Sequence, residues 1–512
     1  MGTMKKRGSK QKDLYILSPE DREFFGRVSE AAFMNPFSEE LVVITRLIPN
    51  YSPEDHPNEH FLWTLGPILK DRIDRLRQRG FNRIQQFKGA DFRLVEHAVL
   101  LESYLRFVPE FDQLIRKQVN AGESIIDVSF GNEAIAHLRN YGFSNQDALR
   151  YFSLYFQLRR AYYLINTSLV GDCLSMKNLR FALWNNVFTY DVRAYDDHLL
   201  TRMEDFSTLI LGETGTGKGS AAKAMGHSGF IPFDTKKGNF PQNFMEMLTS
   251  VNLSQFSESL IESELFGHGK GSFTGAVDNH VGLFELCGPY DSLFMDEIGE
   301  LNTSVQIKLL QVLQERIFSP VGSHSPKRFK GRIIAATNRS IEELRKEGRL
   351  RDDLYYRLCS DVIVVPSLRQ RIRESPSELE LLVKSLVQRI TGEESRSLSG
   401  MIMENLDQDL PSDYPWPGNV RELEQAIRSI LLKRHYKGDT MVTNPDLEND
   451  FIQKIQSGKI EARELLSEYC NFLYQQFQNY EEVARRTQLD RRTVKKYITN
   501  INRRISHETL AP

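Results

Sequence analysis

The chain has little cysteine: four residues in 512, Cys173, Cys287, Cys359 and Cys470, with no C-x-x-C pair among them. Such wide spacing argues against a disulfide framework or a thiolate metal site, and for reduced thiols in a cytosol. Long apolar runs are also missing. No window approaches the roughly 18 apolar residues that a membrane-spanning helix needs, so no membrane partner is expected. Neither sign of charge dominates. The net charge of −2 excludes a uniformly basic nucleic-acid binder but leaves room for a local basic patch. The N-terminal MGTMKKRGSKQKD is basic with no apolar segment after it, so residues 1–12 read as a disordered tail and not a signal peptide. A soluble, cytoplasmic protein is expected.

What is present is a globular composition, 40% hydrophobic and 26% charged, over a length that predicts roughly three domains. The central stretch is LILGETGTGKG, Leu209 to Gly219. An apolar strand-like run meets Gly212, Glu213, Thr214, Gly215, Thr216, Gly217 and Lys218, which fits the G-x-x-x-x-G-K phosphate loop. Glycines there let backbone N–H groups curl around phosphates, and the lysine reaches the β and γ oxygens. The helix-like run from Ser220 to Gly226 adds its positive N-terminal end. Gly219 departs from the pattern, because Ser or Thr usually follows the lysine to hold magnesium.

Before the loop, residues 13–167 read as a mostly helical domain of regulatory type. Ser18-Pro19-Glu20-Asp21 and Ser38-Glu39-Glu40 resemble capped helix starts, and only Leu41 to Ile44 looks strand-like. Apolar residues recur at helical spacing through Phe92, Val95, Leu100, Leu105 and Phe107, and from Ala148 through Tyr151, Leu154, Tyr155, Leu158 and Tyr162. The aromatic stripe of the second set suits a ligand pocket, although such stripes are more often core. The strand–helix alternation of a phosphoacceptor receiver is not found, and the region's function is not legible.

Residues 168–366 alternate strands with helices, the pattern of a parallel α/β sheet. Candidate strands are Thr208 to Leu211, Ser250 to Leu253, Ser292 to Met295, Gly331 to Ala335 and Val362 to Val365, with a Gly-, Pro- and Phe-rich surface insertion between Ala224 and Thr249. Asp296 and Glu297 end the third strand. One carboxylate there suits magnesium beside the phosphates and the next suits orienting the attacking water. Asn338 ends another strand, where it suits holding that water or sensing the γ-phosphate. Arg351 and Arg357 bracket Asp352 to Tyr356; they suit either stabilising charge on a neighbouring subunit's nucleotide or pairing with acids nearby.

A helical segment, residues 367–436, and a polar linker, residues 437–462, lead to residues 463–512. Glu464 to Phe477, Glu481 to Thr487 and Arg491 to Thr499 read as three helices with helix-turn-helix spacing. From Tyr480 to Ile505 eight basic residues face three acidic ones, a local excess that suits phosphate-backbone contact. Arg491, Arg492, Thr493, Lys495 and Lys496 are the candidate DNA-binding residues.

Taken together, Leu169 to His435 resembles the central AAA+ domain of bacterial sigma-54-dependent transcription activators. The resemblance is carried by Gly271-Ser272-Phe273-Thr274-Gly275-Ala276, which is similar to the family's G-A-F-T-G-A loop, and by Glu262 to His268 before it. Gly282 to Glu285, Asp296 to Glu300, Gln306 to Leu310, Ala336 to Asn338, Arg351 to Leu358 and Trp416 to Leu423 add to it. The fold implied is a P-loop parallel sheet with a helical lid, beside a helical N-terminal region and an all-α C-terminal helix-turn-helix of Fis type. The resemblance implies ATP bound by residues 212–219 and sensed by Arg421, Mg2+ served by Asp296, and water activated by Glu297. It implies that Asn252 holds Glu297 in an inactive pose and that Arg351 and Arg357 act as fingers in trans within a ring, usually a hexamer. Phe273 and Thr274 would touch sigma-54 in the polymerase holoenzyme while the C-terminal helices hold upstream DNA. Ser272 replaces an alanine, Gly219 stands where the family usually has an acid, and insertions flank the phosphate loop (around Tyr190 to Arg202 and Ile231 to Met247). Two rival readings remain: a DNA-binding regulator whose nucleotide site does not turn over, and an AAA+ remodeller of some other complex.

Overall fold

The computed structural model describes residues 15–40, 58–273, 276–438, 461–477 and 479–498. The basic tail, the strand-like Leu41 to Ile44, most of the linker, Thr274 and Gly275 lie outside the described residues. By contacts the chain divides into two compact units, Met1–Gly400 with Gly418–Ile427, and Met401–Pro417 with Arg428–Pro512.

In the first unit a five-stranded sheet is built from β1 (Thr208–Leu211), β2 (Leu248–Asn252), β3 (Ser292–Asp296), β4 (Arg332–Thr337) and β5 (Asp361–Val364). The order is β2-β3-β4-β1-β5 and every pairing is parallel. Parallel strands need crossovers, which put cover on both faces, so the three central strands β3, β4 and β1 are buried on both sides while the edge strands β2 and β5 stay partly exposed. Side chains alternate between the faces. Leu209, Leu293, Met295, Ile333 and Ala335 join one apolar cluster, whereas Ile210, Phe294, Ile334 and Ala336 join another.

The first cluster is completed by α9 and α10 among the helices α1 (Pro19–Ala31), α2 (Asn58–Gln78), α3 (Gly89–Arg106), α4 (Val108–Ala121), α5 (Gly131–Asn140), α6 (Asn145–Ser168), α7 (Leu174–Phe188), α8 (Lys218–Gly226), α9 (Glu258–Phe266) and α10 (Thr303–Glu315). The second cluster takes in α1 through α8. The boundary expected at residues 167 and 168 therefore separates no two cores: helices before it and sheet residues after it share one apolar interior. Ser18 caps α1 as its sequence predicts, accepting from the Asp21 N–H.

The insertion after the phosphate loop, expected on the surface, is instead buried. Ile231, Phe233, Phe240, Phe244 and Met247 are all at most 4% exposed, and Phe240 stacks on Phe156 of α6 with centroids 4.3 Å apart. Asn243 fixes the segment by donating to the carbonyls of Gln118 and Ser124, each at 3.1 Å. Each buried aromatic contributes about 1.5–3 kcal/mol. A glycine- and proline-rich composition marks irregular backbone, and irregular backbone that carries four or five large apolar side chains is core.

Helices α11 (Asp352–Leu358), α12 (Leu368–Glu374), α13 (Ser377–Thr391), α14 (Arg396–Asp409) and α15 (Asn419–Lys433) follow the sheet. At the base of α12 and α13, Arg371 and Glu378 form an ion pair with side chains 4% and 1% exposed. Glu378 also accepts the Cys173 N–H at 2.8 Å, and Arg371 donates to the Val170 carbonyl at 2.6 Å, so the pair clamps the segment that leads into α7.

In the second unit, α16 (Ala462–Phe477), α17 (Tyr480–Thr487) and a helix over residues 491–498 surround Cys470, Leu473, Val483, Val494 and Ile498. Asn479 caps α17, and Gln488 ends it in the left-handed region at φ 55°. Among the described residues no helix is long and apolar enough to cross a membrane.

Candidate functional site

Three stretches converge at the C-terminal ends of the central strands, where open α/β sheets hold ligands. The phosphate loop leaves β1 and turns into α8. Gly215 (φ 80°) and Gly217 (φ 106°) sit in the region that suits glycine, and a Cβ on Gly215 would lie 2.2 Å from the Gly418 carbonyl oxygen. Lys218 is 7% exposed, and its Nζ donates to the carbonyls of Gly212 at 2.8 Å and Glu213 at 3.2 Å. Burial lowers its pKa, which Glu297 and Asp296 oppose. An ammonium held at the mouth of a ring of backbone N–H groups fits a nucleotide's phosphates.

β3 ends in the acid pair. Asp296 Oδ1 accepts the Glu297 N–H at 3.1 Å, and Glu297 takes a left-handed backbone at φ 59°, which turns its side chain out of the strand's alternation. Burial above all, with Asp296 adding to it, raises the Glu297 pKa against the pull of the Asn338 N–H and of Lys218. β4 supplies Asn338. Its N–H donates to Glu297 Oε2 at 3.3 Å and its side-chain Nδ2 to Thr214 Oγ1 at 2.9 Å, so one residue joins the carboxylate to the phosphate loop.

Asn252 pairs in register with Asp296 on β3, next to Glu297, but makes no hydrogen bond to Glu297 among the described residues. Its Oδ1 accepts from the Ser254 N–H at 3.0 Å and the Ser254 hydroxyl at 2.7 Å, the capping role that short polar side chains fill at a strand's end. The hold expected of Asn252 falls, among the described residues, to the Asn338 N–H.

The lid reaches the loop through residues that sequence reasoning did not single out as functional. Arg369 pairs with Glu213 through both carboxylate oxygens. Asn419 Nδ2 donates to Glu213 Oε2 and to the Thr214 carbonyl, each at 3.1 Å, and its Oδ1 accepts the Leu368 N–H at 2.7 Å. The Val420 N–H donates to the Gly215 carbonyl at 3.1 Å. Burial would raise the Glu213 carboxyl, but Arg369 and Asn419 carry it below its usual value. The signal for Asn419 was its place in the Trp416 to Leu423 run; nothing local marks Arg369. Arg421 stands beside the loop, its Cβ 2.9 Å from where a Gly215 Cβ would be.

Arg351 caps the start of α11 and Arg357 lies in its last turn, and neither hydrogen-bonds residues 212–219 or Glu297 among the described residues. Arg351 instead forks onto Asp353 at 3.0 and 2.6 Å, and Arg357 is exposed. The stem of the Phe273 loop is a small ladder in which His268 and His280 exchange backbone hydrogen bonds at 2.9 and 3.0 Å. Phe273 at its tip is 40% exposed, edge-on to His268 at 4.9 Å. In the C-terminal helix Val494 and Ile498 face inward, which leaves Arg491, Arg492, Lys495 and Lys496 exposed and Thr493 half-buried.

Asp296 and Glu297 offer carboxylates to a magnesium ion, with no hydroxyl at position 219. A Cβ at Gly219 meets nothing within 4 Å, and its backbone φ is not positive. Gly219→Ala is therefore expected to stabilise the chain by about 0.5–1 kcal/mol, read as a higher denaturant midpoint. A lower midpoint would mean that the loop needs glycine there.

Residues 193–364 match the Sigma-54 interaction domain, and residues 373–464 match the AAA+ ATPase lid domain. The chain is 42% identical over 235 residues to the anaerobic nitric oxide reductase transcription regulator NorR of Aeromonas salmonicida (strain A449), which covers 46% of this chain and 42% of that protein. It is 37% identical over 252 residues to the regulatory protein AtoC of Escherichia coli (strain K12), covering 49% and 50%. It is 39% identical over 229 residues to the DNA-binding transcriptional regulator NtrC of Azospirillum brasilense, covering 44% and 43%. The chain spans about half the length, or less, of these relatives. The matched region is an AAA+ ATPase domain of the sigma-54 interaction type, with its lid.

Proposed function

We propose that this protein is a sigma-54-dependent transcription activator that couples ATP hydrolysis to remodelling of the sigma-54 polymerase closed complex. One observation carries the reading: a single domain, matched to the Sigma-54 interaction domain, holds both a phosphate loop joined to a carboxylate base and an exposed aromatic loop tip. In this reading Lys218 and the loop N–H groups bind the nucleotide and Glu297 activates water. Asn338 reports the nucleotide's state, because it touches Thr214 and Glu297 at once. Asp296 serves Mg2+, which supplies charge neutralisation at the phosphates. Neither Arg351 nor Arg357 hydrogen-bonds its own chain's loop among the described residues, and Arg357 is exposed, which supports their acting on a neighbour's nucleotide in a homo-oligomeric ring, taken as a hexamer. Phe273 and Thr274 then press on the sigma factor in the cytoplasm.

The test is Phe273→Ala. ATPase is expected to stay within about twofold of wild type while sigma-54-dependent transcription falls at least about tenfold, since a tip residue removes only a contact of hot-spot size. Normal transcription by this variant sinks the reading.

Upstream DNA is assigned to the C-terminal helices because their basic residues share the exposed face. Arg491→Ala with Arg492→Ala is expected to weaken DNA binding across all sequences and to reduce the salt slope by about two. An unchanged slope would move weight to the remodeller of some other complex. The non-hydrolysing regulator keeps one observation in its favour, the glycine at 219.

A further inference from the structure

Glu213 joins the phosphate loop through its main chain, and α12 and α15 through its side chain. Its carbonyl accepts from Lys218 Nζ at 3.2 Å and from Thr216 Oγ1 at 2.9 Å. Its carboxylate takes both terminal nitrogens of Arg369, in the first turn of α12, and Nδ2 of Asn419, the first residue of α15. The Arg369 side chain is 17% exposed, so the pair is not one of the fully solvated bridges that contribute little. Asn419 is buried and holds φ 54°, a left-handed backbone that a residue other than glycine keeps only where its surroundings over-determine it. Its amide does so, reaching Glu213, the Thr214 carbonyl and the Leu368 N–H, a donor that the first turn of α12 leaves without a helical partner. Asn419 thus ties both helix starts to one carboxylate.

We propose that Glu213 is a positioning residue of the nucleotide site, which acts through Arg369 and Asn419 to hold Arg421 against the phosphate loop. An acid in a loop that receives phosphates is unfavourable by itself, because like charges repel. Here the bidentate guanidinium and the amide engage the carboxylate. Burial would raise its pKa, but Arg369 and Asn419 carry it below the ordinary value, so it is ionised at neutral pH. Arg421 follows Asn419 by two residues, and the Val420 N–H between them donates to the Gly215 carbonyl at 3.1 Å. Fixing Asn419 therefore fixes where Arg421 leaves the backbone. Glutamine in place of Glu213 removes the charge that Arg369 answers; the hold on Asn419 loosens, and Arg421 is released with it. The role rests on residues 212–219 being the nucleotide site, and the experiment separates a failure of that reading from a failure of this one.

The experiment is a set of double-mutant cycles on the full chain, read by equilibrium binding of a fluorescent ATP analogue. Glu213→Gln and Arg369→Gln are each expected to weaken binding about tenfold, and the two together no more than about twofold beyond either, since both open one joint. Arg421→Ala is expected to weaken binding about tenfold in the otherwise wild-type chain and less than about twofold in the Glu213→Gln chain. An ion pair that only stabilises the fold would lower the denaturant midpoint and leave the cost of Arg421→Ala unchanged. Additive costs in the Glu213 and Arg421 cycle, or a Glu213→Gln chain that binds like wild type, would overturn the assignment. If Glu213→Gln fails to fold, Arg369→Gln with Arg421→Ala closes the same cycle and decides it. Lys218→Ala is the reference: a chain that still binds the analogue like wild type would place the nucleotide elsewhere and overturn the site and the role together, whereas lost binding beside additive costs would overturn the role of Glu213 alone.

Discussion

Glu297→Gln is expected to slow ATP turnover by about 10²–10⁴-fold while nucleotide affinity stays within a few-fold. The amide keeps the shape and the hydrogen bond from Asn338 but cannot take a proton from water. Two features make the carboxylate suited to that work. Its left-handed backbone at φ 59° aims it away from the strand's alternation, and burial raises its pKa. A base whose pKa is raised loses its ionised form at higher pH than an ordinary glutamate, so the rate falls as pH drops, beginning above the range of a free carboxylate. Steady-state ATPase with a parallel nucleotide-binding titration checks this. Equal turnover by the variant and the wild type would shift the balance to a regulator that binds ATP without using it.

The second large effect concerns stability. Glu378→Ala is expected to cost about 3–5 kcal/mol, because it leaves the Arg371 guanidinium buried and without its counter-charge. Burial alone would raise the Glu378 carboxyl; Arg371 and the N–H groups of Asp172 and Cys173 outweigh it and hold the pKa below the ordinary value. The stabilisation is therefore present above the unfolded glutamate pKa and lost as pH falls through the lower, folded value. Chemical denaturation at neutral pH measures the cost. Replacing both partners with leucine is expected to be milder than the single change, since neither leaves a bare charge. A loss under about 1 kcal/mol for Glu378→Ala would show that water reaches Arg371 in the folded chain.

What could be read in advance was what lies close along the chain. The phosphate loop, the Asp296 and Glu297 pair and Asn338 are each set by a few consecutive residues at a strand's end, and the strands fall where alternation and apolar runs put them, to within two or three residues. β2 shows the limit: it spans Leu248–Asn252 where Ser250 to Leu253 was expected, and Asn252 turns to Ser254 and not to Glu297. Partners far apart in sequence left no local mark. Arg369 and Glu213 are 156 positions apart, and Cys173 and Glu378 are 205 apart. The insertion around Phe240 carries glycines and prolines that suit a surface loop, and its phenylalanines find their partners only in helices far away in sequence, such as Phe156 of α6.

The interior shared by α6, α7, the Phe240 segment and one side of the sheet has a practical meaning. The helical region cannot be treated as a detachable cassette. A chain started near Leu169 would expose Phe240, Phe244 and Met247 to water, and the expected outcome is aggregation and not a liberated motor. Putting an unrelated module in place of the helical region is expected to leave the same side chains uncovered, unless both sides of the seam are exchanged together.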